Sequence, residues 1–194
     1  MNTIETIISG SIAIKERILN DKKMIDTIEE VVSALVSSYK AGGKLLIAGN
    51  GGSAADAQHV AAEFVGRFYY DRPSLPAMAL TTDSSILTAI GNDYGYDQVF
   101  SRQIEGNAVK GDIFIAISTS GNSPSIVRAL EAARSKGVIT VGLTGEKPSK
   151  MDPLCDYLLK MPSADTPRVQ EGHFLIEHII CQLAEERLCP KGAI

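Results

Sequence analysis

Lys44-Leu45-Leu46-Ile47-Ala48-Gly49-Asn50-Gly51-Gly52-Ser53 and Ile113-Phe114-Ile115-Ala116-Ile117-Ser118-Thr119-Ser120-Gly121-Asn122-Ser123 share one grammar: a short apolar run, a turn of small residues, then a helical pattern. A strand that ends in such a turn and opens a helix aims several free backbone N–H groups, and the positive end of the helix dipole, at one place. That place suits a phosphate. Two of them on one sheet imply a phosphorylated ligand with a polar remainder.

Working outward, strand and helix patterns alternate from residue 44 onward. The strand candidates are Leu45–Ala48, Ala77–Leu80, Ile113–Ile117, Ile139–Leu143 and Tyr157–Lys160. The helix candidates are Ser53–Val65, Ser84–Ile90, Asp97–Glu105, Ser123–Lys136 and Val169–Arg187. Alternation of this kind predicts an α/β fold: a doubly wound, mainly parallel five-stranded sheet flanked by helices, with ligands at the carboxyl ends of the strands. Ahead of it, Ile4, Ile7, Ile8 and Ile12, then Ile25, Ile28, Val32, Leu35 and Val36, keep helical spacing on either side of the polar break Asn20-Asp21-Lys22-Lys23. Ala41-Gly42-Gly43 stops the second helix. The first helix is strongly apolar for an end segment. Either it packs against another subunit or it lies on its own domain.

The 194 residues read as one domain, 1–194, with a helical segment over 1–40 and the α/β core and last helix over 41–194. A net charge of −4 argues against nonspecific binding to nucleic acid or a membrane surface, both of which call for a basic face. No apolar run is long enough to span a bilayer, and the N-terminus does not have the build of a secretory signal. Cys155, Cys181 and Cys189 are odd in number and lack metal-motif spacing, so they read as reduced thiols of a cytoplasmic protein.

Gly49-x-Gly51-x-x-Ala54 also fits a dinucleotide fingerprint. That pattern wants an acid at the end of the second strand, about twenty residues on, and the nearest beyond Leu80 is Asp83, too late to serve. The second loop holds four hydroxyls where a helix cap needs one, and without a Gly-Lys-Ser/Thr ending it is not a nucleotide P-loop. His59 and Glu63 lie four apart, on one helix face. A second polar cluster, Gln170, Glu171, His173, Glu177 and His178, interrupts an apolar helix near the C-terminus. A histidine among isoleucines is ordinarily a satisfied core residue. Two imidazoles and a carboxylate supported by an amide would equally form a borderline-metal site, zinc by preference. Gly91-Asn92-Asp93-Tyr94-Gly95 has the composition of a turn.

Together, Gly49 through His59, Glu63, Ser118 through Ser123, Arg168-Val169-Gln170-Glu171 and His178 resemble the bacterial phosphoheptose isomerases, sugar isomerase (SIS) domain proteins. The resemblance covers nearly the whole chain. It implies interconversion of sedoheptulose 7-phosphate and D-glycero-D-manno-heptose 7-phosphate through an enediol. It implies that Glu63 is the base and His178 the acid, and that Asn50, Gly51, Gly52, Glu63, Asn92, Asp93, Ser118, Thr119, Ser120, Ser123 and Gln170 contact substrate. It further implies one zinc ion per subunit on His59, Glu63, Gln170 and His178, and a homotetramer with sites between subunits. A nonenzymatic branch that binds the replication initiator keeps the fold and serine loop but looks like an isomerase without the Glu63 and His178 equivalents; this chain has both. Pro167 stands where other members place a small residue or an acid, so the resemblance carries no role to Asp165.

Overall fold

The computed structural model describes residues 2–191. Helices α1 (Thr3–Asn20) and α2 (Lys22–Lys40) precede the alternating part. There follow β1 (Leu45–Ala48), α3 (Gly52–Val65), β2 (Ala77–Ala79), α4 (Ser84–Tyr94), α5 (Ser101–Asn107), β3 (Ile113–Ile117), α6 (Pro124–Ser135), β4 (Ile139–Thr144), β5 (Tyr157–Lys160) and α7 (Thr166–Leu188). The five strands form one wholly parallel sheet in the order β2-β1-β3-β4-β5. The order reverses between β1 and β3, and a crevice at such a switch point is where doubly wound sheets bind ligands. The two small-residue loops follow these two strands.

Successive strand residues point to opposite faces, and here both sets are apolar. Leu45, Ile47, Ile113, Ile115 and Ile117 meet α2, α3 and α7, whereas Leu46, Phe114 and Ala116 meet Val99, Phe100, Ile126 and Leu130 on the other face. Leu35 and Val32 of α2 are fully buried. A Leu→Ala change at such a site costs about 2–5 kcal/mol. At the edge away from the loops, the buried Asp112 carboxylate accepts from the N–H groups of Lys44 (3.0 Å) and Val109 (2.8 Å) and pairs with Lys44 Nζ at 2.6 Å.

The first helix lies on its own domain by one face and leaves another face exposed. Ile14 and Ile18 are buried on the chain's own core, while Ile4, Ile7, Ile8 and Ile12 lie outside, each more than half exposed. An apolar groove of about 310 Å³ opens beside it between Ile18, Leu19, Ile25, Ile28, Leu175 and Leu183.

Several element limits differ from the sequence pattern. The second strand stops at Ala79, although Leu80 N–H still donates to the Ile47 carbonyl at 2.9 Å. Gly91–Tyr94, expected as a turn, are the last turn of α4, and the chain stops only at Gly95, whose φ of 90° a side chain would oppose. The span 97–105 is not one helix: a 3₁₀ turn at Tyr96–Gln98 precedes α5. Helix α7 starts at Thr166, ahead of Val169, because Pro167 falls in the first turn, where no N–H is needed.

Candidate active site

The N-terminus of α3 is built to approach something closely. Gly49 has no room for a side chain, since a Cβ there would run into the Ser53 backbone. Gly51, at φ 59°, is the N-cap and offers no side-chain cap bond; the Ser53 and Ala54 N–H groups donate to the Asn50 and Gly51 carbonyls, which leaves the Gly52 N–H at the tip to a ligand. A Cβ on Gly52 would lie 2.7 Å from Gln170 Nε2, so this glycine is what lets α7 reach the loop.

The serine loop repeats the design at α6. Ser123 occupies the N-cap position, yet its hydroxyl makes no cap bond. It accepts instead from Asn50 Nδ2 at 2.8 Å, and Ser125 Oγ accepts from the same amide at 3.0 Å. Asn50 Oδ1 in turn accepts from Tyr96 O–H at 2.9 Å. Asn50 is therefore the tie between the two loops and the turn after α4. Ser118 is buried at the strand end, and Ser120 accepts from Asn122 N–H at 3.2 Å. Beside Thr119 and Ser120 opens a polar cleft of about 230 Å³, walled by Asn122, Glu146, Lys147 and Thr166. Lys147 supplies a cation that the serine loop itself lacks. Tyr96, Ser125 and Lys147 were not singled out from sequence. The one available signal was Gly145-Glu146-Lys147-Pro148-Ser149, a loop at the ligand end of a strand.

Further along the seam between α3 and α7, His59 Nε2 lies 2.9 Å from His178 Nε2 and 3.4 Å from Glu63 Oε1. Phe174 stacks on His59 and Phe68 meets the His178 ring edge-on. Burial lowers the His178 pKa, the His59 ring adds to this, and Glu63 opposes it. The lowered pKa favours the neutral His178 ring, whose Nε2 shares a hydrogen bond with His59 Nε2. Gln170 stands two turns before His178, at the loop end of the same seam.

The other residues of the C-terminal cluster divide by role. His173 is fully buried, its Nε2 3.3 Å from the Thr144 carbonyl, and burial lowers its pKa to about 4; it is a neutral core histidine. Glu177 is also buried, and burial with the nearby Asp56 carboxylate raises its pKa to about 8. Glu171 pairs with Arg168 at 2.8 Å. Asn92 and Asp93 lie exposed on the last turn of α4, with Asn92 Nδ2 donating to Asp93 Oδ1 at 2.8 Å. No hydrogen bond among the described residues ties this pair to either loop. Asp165 is exposed at the N-cap of α7 and makes no side-chain cap bond.

Two imidazole nitrogens, a carboxylate oxygen and an amide are the donor types zinc accepts. Among the described residues no three His, Cys, Asp or Glu side chains form a ready metal cage. The 2.9 Å between the ring nitrogens is slightly short of the about 3.3 Å that two ligands of a tetrahedral zinc require. His59, Glu63 and His178 fit the ion in kind, and the rings would part slightly to take it; the Gln170 amide lies against Gly52, seven residues before His59 on α3, and would have to leave that position to join them.

The chain matches the family model for the SIS domain over residues 10–145. It is 58% identical over 185 residues to the phosphoheptose isomerase of Aneurinibacillus thermoaerophilus, covering 95% of this chain and 93% of that one. Among solved structures, it superposes on a phosphoheptose isomerase from Francisella tularensis with a TM-score of 0.90 at 35% identity, covering 96% of this chain and all of that one. For phosphoheptose isomerase GmhA from Neisseria gonorrhoeae the TM-score is 0.88 at 38% identity, with 94% and 97% covered.

Proposed function

The chain belongs to the phosphoheptose isomerases of the SIS-domain family, and we infer from its own residues how it carries out the reaction. It is an aldose–ketose isomerase that interconverts sedoheptulose 7-phosphate and D-glycero-D-manno-heptose 7-phosphate, the entry to nucleotide-activated heptose. The dinucleotide and initiator-binding alternatives give way to this membership.

The observation that most directly supports the residue assignment is the meeting of His59, Glu63 and His178 downstream of two helix N-termini without side-chain caps. The phosphate sits on the serine loop, with Ser118, Thr119, Ser120 and Ser123 donating and Lys147 adding charge. Asn50, Gly51, Gly52 and Gln170 line the sugar chain, with Asn92 and Asp93 at its rim. From Gly52 to His59 the helix advances about 10 Å at 1.5 Å per residue. An extended seven-carbon phosphate with bonds of ~1.5 Å spans a similar length, enough to run from the first loop, which Asn50 ties to the serine loop, to the imidazoles.

Glu63 takes the proton from C1 of the ketose while His178 gives its N–H proton to the C2 oxygen, forming the enediol. Return of the carbon-bound proton to C2 and loss of the O1 proton give the aldehyde. A neutral imidazole is a competent donor to a developing enediolate, and its lowered pKa keeps it in that form. His59, Glu63, Gln170 and His178 would hold a zinc ion, one per subunit, which would polarise the carbonyl and hydroxyl oxygens at C1 and C2 as a Lewis acid.

The exposed isoleucines of α1 and the adjoining groove support a homotetramer with sites between subunits. No helix among the described residues is long and apolar enough to cross a membrane. With three free cysteines, we place the enzyme in the cytoplasm. The direct test is Glu63→Gln assayed with sedoheptulose 7-phosphate. The amide keeps the shape but accepts no proton, so the rate should fall at least ~10²-fold; a variant keeping more than about a tenth of the rate would remove Glu63 from the role of base.

A further inference from the structure

Arg72 and Glu185 form an ion pair that the reaction above does not use, with both side chains 1% exposed. Arg72 stands in the chain returning from α3 to β2. Its guanidinium donates to Glu185 Oε1 (3.0 Å) and to the carbonyls of Glu63 (2.7 Å), Phe64 (2.8 Å) and Pro73 (2.9 Å). The last carbonyls of a helix have no partner within it. Arg72 takes two of them from α3, one belonging to the catalytic base itself. Glu185 lies on α7, two turns after His178, and its oxygens also accept from Phe68 N–H (2.8 Å) and Tyr69 N–H (2.7 Å). Phe68 is the residue whose ring meets His178. Burial pushes the Glu185 carboxyl up, but the Tyr69, Phe68 and Arg72 donors outweigh it and hold the group below its usual range.

We propose that the Arg72–Glu185 pair is a positioning device for the isomerisation, fixing the end of α3 against α7 and so the spacing of the Glu63 carboxylate and the His178 imidazole. The proposal rests on the acid–base roles given to those two residues. A buried ion pair is a weak source of stability, since apolar residues of similar volume often hold two helices as well. What the pair adds is direction: one planar fork must meet three carbonyls and a carboxylate at once. Catalysis is sensitive to this, because a shift of about 1 Å between reacting groups costs ~10²-fold in rate.

The experiment compares Arg72→Lys, the double variant Arg72→Met with Glu185→Leu, and two controls, Glu63→Gln and Asp112→Asn. The double variant removes both charges together, so neither is left buried and alone. Asp112 sits in an equally buried hydrogen-bonded clamp that bonds neither α3 nor α7. Each protein is assayed well below its own melting midpoint. The expected result is a kcat loss of about tenfold for Arg72→Lys and ~10²-fold for the double variant, with KM changed less than about threefold. Asp112→Asn should lower the melting midpoint and leave kcat alone. Wild-type kcat in the double variant, or an equal kcat loss in Asp112→Asn, would overturn the proposal and leave the pair a structural one. An active Glu63→Gln would instead overturn the acid–base reading beneath it.

Discussion

Replacing His173 by glutamine should flatten the protein's loss of stability in acid. The imidazole is fully buried beneath the Thr144 carbonyl, and burial lowers its pKa from 6.5 to about 4. Between those values the unfolded chain binds a proton that the folded chain refuses, so stability falls as pH drops through 6.5 and levels off below about 4. At pH 7 the effect is close to nothing; at pH 5 it amounts to about 2 kcal/mol for this one group. Glutamine keeps an N–H donor for Thr144 and does not titrate. Glu177 acts in the opposite direction, its raised carboxyl pKa favouring the fold at lower pH, but it is common to both proteins and cancels in the comparison. Urea unfolding at pH 7 and pH 5 measures the difference directly. Wild type should lose about 2 kcal/mol more than His173→Gln over that interval, or roughly 4–8 °C in melting temperature for a chain of this size. Equal losses would mean that His173 takes its proton inside the fold, and the assignment of a neutral core histidine would be wrong.

Ser120→Ala combined with Ser123→Ala should raise KM more than it lowers kcat, because phosphate contacts hold ground and transition states alike; a kcat loss at constant KM would place these hydroxyls in the chemistry. His178→Asn should leave a folded protein that still binds sugar phosphate by calorimetry yet does not isomerise it, and retained turnover would exclude His178 as the acid. Elemental analysis should find about one zinc per chain, and chelation should lower the melting temperature, because the ligands meet only in the fold; metal-free protein of unchanged stability and activity would leave the cluster as bare acid–base groups.

The strands were legible because their residues are apolar on both faces, which only a sheet covered on two sides explains. The serine loop and the His59/Glu63 pair were legible because their spacing is local. The turn expected at Gly91–Tyr94 failed for the converse reason: glycine, asparagine and aspartate weaken a helix without forbidding it, and only Gly95 has the backbone that stops it. Tyr96 and Lys147 reach the site through tertiary folding, and nothing in their neighbours' spacing announces that. Gly52 could be read as a loop glycine, but its second reason, the approach of Gln170, exists only once α7 has packed on α3.

Because α1 and α2 pack on α7, the two helices are made well before a helix that covers them. Synthesis from Lys40 to Thr166 takes roughly ten seconds at about 5–20 residues per second. For that interval the apolar faces of α1 and α2 that meet α7 have no partner from it. Trimming α7 would therefore strand the N-terminal helices rather than merely shorten the molecule.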